Sequence, residues 1–190
     1  MRNENLRTLT IAALLTALTT LSTMVIKFPT VTFGYIHLGD GFVLLSGIIL
    51  GPFYGGLAAG IGSMFADLFS GYAIFAPGTF IIKAAAASII GFVFHKFKND
   101  FSISSNRNKK VIFGGILAES AMVLGYVLYE TLLNVITTAS YTSQSIFKGF
   151  LLASTGIPFN IVQGITGITI CFFMLPVLLK IESAKKLIIK

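Results

Sequence analysis

Asp40, Asp67, Lys83, Glu119 and Glu130 stand in stretches that are otherwise almost wholly apolar. An ionisable side chain in hydrocarbon costs several kcal/mol, so such residues face a cavity, a partner or one another. Spacing groups them. Glu119, Tyr126, Glu130, Asn134 and Thr137 follow at intervals of 7, 4, 4 and 3, which places them on one face of an α-helix. Gly156, Asn160, Gln163 and Gly167 repeat the pattern at 4, 3 and 4, and Gly60, Ser63 and Asp67 at 3 and 4. Tyr35, His37 and Asp40 cluster in "GYIHLGD", with Tyr72 and Phe75 in a later short loop. Donors and acceptors beside an aromatic wall suit the recognition of a small polar ring.

The alternatives are specific. Asp40 can serve the start of its own helix, where a carboxylate suits the helix dipole. Lys83 can pair with Asp67 or Glu130 simply to hold helices together. Glu119, Glu130 and His37 are acid–base residues, but no spacing among them supports catalysis. No P-loop lysine motif, H-E-x-x-H or G-x-S-x-G occurs, and "GLAAGIGS" lies in an apolar span with no preceding strand, outside the context of a nucleotide site. The single cysteine, Cys171, excludes an intramolecular disulfide and a cysteine metal cluster. No cofactor and no metal are expected.

The elements that carry these residues are membrane helices. The chain has 190 residues, 55% hydrophobic and 11% charged, with a mean hydropathy of +0.87. Globular domains carry about a quarter charged residues. Six apolar segments predict helices near 7–26, 38–53, 55–73, 78–97, 110–138 and 148–179, each near the length that crosses a bilayer. The expected fold is an all-α membrane protein: a compact bundle of six transmembrane helices, one domain over 1–190, in the cell membrane. The first segment is too long for a signal-peptide core and no A-x-A site follows, so it reads as a retained helix.

Lys and Arg set the orientation. Eleven of them, at 2, 7, 96, 98, 107, 109, 110, 180, 185, 186 and 190, fall on one side of a six-helix path. Only Lys27 and Lys148 fall opposite. Both termini are therefore expected to be cytoplasmic, and the net charge of +7 follows from topology without a nucleic-acid partner. Three aromatic-bearing loops then face outward: 27–36, 70–77 and 138–147. Counted at 1.5 Å per residue, Lys83 lies about 8 Å and Glu130 about 12 Å below the outer helix ends. Asp40 and Asp67 lie nearer the rim, Asn160 near mid-membrane, and Glu119 too deep to join them. These groups predict an outward-facing cavity with 27–36 closing over it.

Gly47, Gly51 and Gly55, and Gly56 with Gly60, follow the small-xxx-small spacing of close helix contacts. Across 7–26 the first helix holds seven Ser or Thr and the pair Ala13-x-x-x-Ala17. This surface suits helix contact, either within the bundle or with another chain.

With Ala13 and Ala17 on the first helix and the stretch "GYIHLGDGFVLLSGIILGPFYGGLAAGIGSMFADLFSGYAIFAPGTFIIKA" (34–84), the chain resembles the substrate-binding S components of energy-coupling factor (ECF) vitamin transporters. The likeness is to the riboflavin-type group, and within it to members assigned to pyridoxine or hydroxymethylpyrimidine. The resemblance implies a high-affinity vitamin-binding subunit that is not an enzyme. It implies docking on a transmembrane coupling subunit through Ala13 and Ala17, and two partner ATPase subunits that supply the motor. Tyr35, His37, Asp40, Asp67, Tyr72, Lys83, Tyr126, Glu130, Asn134 and Asn160 are the expected substrate-binding residues. A pyridoxine-type vitamin suits this mixture best; riboflavin and a thiamine precursor are the alternatives. A membrane structural or sensor protein, whose polar stripes only join helices, is the reading from another class.

Overall fold

The computed structural model describes residues 2–25, 27–29, 35–96 and 104–182, together with Lys185 and Ile188. In chain order the elements are α1 (Arg2–Val25), β1 (Lys27–Pro29), β2 (Tyr35–His37), α2 (Asp40–Phe69), α3 (Ala76–Lys96), α4 (Ser104–Thr137), α5 (Ser143–Ser154) and α6 (Ile157–Leu178). Five of these helices, all but α5, are long and apolar enough to cross a membrane. The β-strands form an antiparallel ribbon pairing Lys27 with His37. The tip of the expected closing loop, 30–34, lies outside the described residues, as do Lys98 in the long basic loop and Lys186 and Lys190 in the tail.

The predicted second and third helices are the two arms of α2. Gly51 adopts φ +78°, which glycine tolerates and a side chain resists, and Pro52 follows with no amide hydrogen to donate. The arms 40–50 and 52–69 fold back on each other: a Cβ at Gly55 would come within 2.7 Å of the Gly47 Cα. Gly47 also packs on α3, where a Cβ would overlap the Ala87 carbonyl. Such close backbone approach is what small residues permit between membrane helices. The predicted helix over 148–179 divides at Thr155 and Gly156 into α5 and α6. Thr142 starts α5 by accepting from the Ser145 amide at 3.2 Å, and Pro158 opens α6 where a missing N–H costs nothing.

Contacts between helices fix their directions. Thr16 Oγ1 donates to the Ala58 carbonyl at 3.1 Å and Thr20 Oγ1 to the Gly62 carbonyl at 2.8 Å, so α1 runs parallel to the second arm of α2. Gly56 meets Ser88 and Gly60 meets Phe80, making α3 antiparallel to that arm. Gly125 meets Ile82 while Gly114 meets Ile90, and Gly115 meets Ile168 while Gly164 meets Glu119. From the second arm of α2 through α3, α4 and α6 each neighbour reverses, so the start of α1, the end of α3, the start of α4 and the end of α6 share one end of the bundle. The core between them is apolar: Leu44, Leu45, Ile48, Ile90, Phe94 and Met122 are fully buried.

Candidate functional site

His37 belongs to β2 and only Asp40 begins α2, so the "GYIHLGD" cluster is divided between strand and helix. The N-cap of α2 is Gly39, with no side-chain cap. Asp40 instead points into the bundle, 1% exposed. Its Oδ1 pairs with Lys83 Nζ at 2.5 Å, and its Oδ2 accepts from Gln163 Nε2 at 2.8 Å. Gln163 Oε1 in turn accepts the His37 amide at 3.0 Å. A buried pair is tolerated in this way when its remaining lone pairs are also satisfied.

Asp40 is therefore deep, on a level with Lys83 and Gln163. Glu119 joins that level, contrary to its expected isolation. A Cβ at Gly167 would come within 2.7 Å of Asp40 Cβ and 3.4 Å of Glu119 Oε1. Glu119 is 5% exposed, and neither of its carboxyl oxygens makes a hydrogen bond. Gly164 and Gly167 leave the room it occupies.

Above this layer lies a cavity of about 40 Å3, room for about three ordered waters. Its acidic walls are Asp67 and Glu130. Tyr35, Tyr72, Phe75 and Tyr126 supply aromatic surface, and His37, Thr79, Asn160 and Gln163 supply polar atoms. Tyr35 Oη donates to Asp67 Oδ1 at 2.8 Å, and its ring stands 4.8 Å from that of Tyr72. Burial and the Asp67 charge push the Tyr35 hydroxyl well above its ordinary range, so it remains a donor. Tyr126 Oη donates to Thr79 Oγ1 at 3.2 Å, while its ring lies 5.3 Å from Lys83 Nζ.

Of the residues expected to touch a ligand, Tyr35, His37, Asp67, Tyr72, Tyr126, Glu130 and Asn160 line this cavity. Asp40 and Lys83 stand behind it, tied to it through Gln163 and Tyr126. Asn134 follows Glu130 by one turn and lies against Gly149 of α5. Thr79 and Gln163 were not among the expected contacts. The signal for both was spacing: Thr79 precedes Lys83 by one helical turn, and Gln163 shares its stripe with Asn160. On α1, Leu15, Thr19 and Thr23 are buried, whereas Ala13 and Ala17 are exposed with Leu9, Leu14 and Leu21.

His37 makes the site sensitive to acid. Burial lowers its imidazole to about 4, with the Lys83 charge acting the same way and Asp40 opposing. The neutral ring lets Nδ1 accept the Gly39 amide at 3.0 Å. An unfolded chain takes up this proton near pH 6.5, while the folded protein refuses it until about 4. Stability is thus present above pH 6.5 and is lost as pH falls through that window, by on the order of 3 kcal/mol. Melting of detergent-purified wild type and His37→Asn, which keeps an acceptor near Nδ1, should show the gap between them closing from pH 7.5 to 5. Parallel pH profiles would remove His37 from the acid response.

A helical membrane bundle with a polar and aromatic cavity near one end suits a membrane subunit that binds a small molecule. The comparisons specify it. Residues 3–180 match the family described as ECF-type riboflavin transporter, S component. The solved S component of a bacterial ECF transporter superposes with a TM-score of 0.63 at 25% identity, covering 95% of this chain and 97% of that one. An uncharacterised protein of Pyrococcus woesei, in the gap 3′ region, is 34% identical over 109 residues, which is 57% of this chain and 68% of that protein. The chain belongs to the ECF-type riboflavin transporter S-component family. It is an integral membrane protein and a non-enzymatic transport subunit; S components of ECF transporters work with a transmembrane coupling subunit and ATPases.

Proposed function

We propose that this S component binds a pyridoxine-type vitamin in the cavity between β2, α2, α3, α4 and α6, for ATP-driven uptake. The observation that carries this reading is the cavity itself: two carboxylates, three tyrosines and amide groups around a space that holds a few waters. Tyr35, His37, Asp67, Tyr72, Tyr126, Glu130 and Asn160 contact the vitamin. Asp40 and Lys83 act from behind by fixing Gln163 and Tyr126. Asn134 meets the ligand only as it passes Glu130. A ring larger than a few waters enters with outward movement of Tyr35 and Tyr72, whose rings stand 4.8 Å apart at the cavity wall.

The whole chain acts as one binding unit, with both termini cytoplasmic and the cavity near the outer face. The basic residues gathered at the opposite end support this orientation. Ala13 and Ala17 form the docking face for the coupling subunit, as their exposure on α1 favours.

Riboflavin is the second reading, favoured by the description of the family. A flavin needs several times the space of one pyridine ring, so its entry demands a larger rearrangement. The test is thermal stabilisation of purified protein by pyridoxine, riboflavin, hydroxymethylpyrimidine and thiamine. Ligand at a hundred times its Kd stabilises by about 2.7 kcal/mol. Pyridoxine should raise the melting temperature most. A larger shift with riboflavin selects the second reading, and no shift with any vitamin returns the protein to a structural or sensory role.

A further inference from the structure

The charge of the cavity wall is one-sided. Asp67 is 5% exposed, and its Oδ2, unlike Oδ1, makes no hydrogen bond. Thr79, the other hydroxyl close to this carboxyl, accepts the Tyr126 hydroxyl and keeps its own proton to donate toward Asp67, but leaves Oδ2 without a partner. Glu130 faces the same space. A buried carboxylate oxygen without a donor costs free energy that a ligand donor can return.

Among the described residues no cation stands at the wall beside the two acids, although the Lys83 charge reaches Asp67 from behind. Among the described residues, neither Lys nor Arg lines the cavity. Lys83 is fully buried with its Nζ on Asp40, and Lys27 Nζ lies 5.6 Å from the Tyr35 ring centroid without reaching the lining. The connecting sequence 30–34, "TVTFG", carries no charge. The start of α6 offers little to an anion, because the Gly156 amide already donates to the Ala153 carbonyl at 3.0 Å and Pro158 has no N–H.

We infer that the site selects a neutral or cationic nitrogen heterocycle bearing N–H or O–H donors and rejects its phosphate ester, with Asp67 Oδ2 as the acceptor of a ligand donor. This inference rests on the vitamin-binding reading of the cavity. It excludes the phosphorylated coenzyme forms as cargo and leaves the free vitamin.

The experiment is calorimetric titration of the detergent-purified full chain with matched pairs: pyridoxine and pyridoxine 5′-phosphate, riboflavin and its 5′-phosphate, thiamine and thiamine phosphate. Whichever vitamin binds should bind about a hundredfold or more tighter than its own ester, since like charges brought together at an interface are strongly unfavourable. Asp67→Asn keeps an acceptor for Tyr35 while presenting an amide where Oδ2 stood. It should weaken the free vitamin roughly ten- to a hundredfold and narrow the gap to the ester. Glu130→Gln, at a wall position outside the Tyr35 bond, should narrow the same gap and serves if Asp67→Asn does not fold. Equal affinity for vitamin and ester overturns the inference while leaving the transport-subunit reading intact. Binding of no compound overturns that reading, and the inference falls with it.

Discussion

Lys83→Met should destabilise the protein by about 3–5 kcal/mol, the cost of leaving a buried partner charge uncompensated. Methionine preserves most of the volume and the apolar stem, so the loss comes from the charge. Asp40 is 1% exposed, and Lys83 and Gln163 donate to its two oxygens. Glu119 beside it has no donor to offer as a carboxylate. Removing both charges separates the terms: Lys83→Met with Asp40→Asn keeps an acceptor for Gln163 and should recover most of the stability. Chemical denaturation in detergent measures all three proteins. A single variant as stable as wild type would mean that Lys83 does not compensate Asp40.

The second large effect concerns uptake and leaves binding intact. Ala13 and Ala17 lie one turn apart on the exposed side of α1, beside the edge where Thr16 and Thr20 bond to the second arm of α2. Ala13→Trp with Ala17→Trp places two large rings where a partner helix must come close. ATP-driven vitamin uptake with the coupling subunit and ATPases should fall to the background of cells lacking them. Vitamin affinity and melting temperature of the isolated subunit should not change, because neither side chain reaches the cavity or the core. Uptake that survives puts the docking face elsewhere; loss of folding or binding puts the alanines in the bundle's own packing.

The helices were legible because hydrocarbon leaves few choices: apolar length sets a span, and helical spacing collects the polar residues on one face. That logic found Tyr126 and Glu130 on α4 and Asn160 on α6. Levels between helices were not legible. Depth counted from each outer end assumes that the ends are flush, and they are not. Gly78, near the start of α3, packs on Tyr129, so the last turns of α4 rise beyond α3 together with α5. Glu119 therefore comes level with Lys83 although it lies far from the end of its own helix. Asp40 was misplaced for a related reason. It begins the 40–50 arm, which is short, and the β-ribbon before it reaches inward, so the start of that arm is no rim.

Gln163 shows the limit of reading a stripe. Its spacing marked a polar face, but not that its amide would join Asp40 to the His37 backbone. Such a bridge depends on residues over a hundred positions apart in the chain, and no local pattern encodes that meeting. Gly51 was easier. A glycine followed by proline between two apolar runs announces a break, and the structure uses it for the reversal of α2.

The central claim is that the cavity bounded by Asp67, Tyr126, Glu130 and Asn160 holds a vitamin. Calorimetric titration of pyridoxine into the purified subunit tests it most directly, with Asn160→Ala and the distant surface change Phe53→Ala run beside wild type. The account predicts one saturable site per chain, about tenfold or more weaker in Asn160→Ala through loss of a ligand hydrogen bond, and unchanged in Phe53→Ala. Saturable binding that is indifferent to Asn160→Ala, or no saturable binding at all, would contradict it.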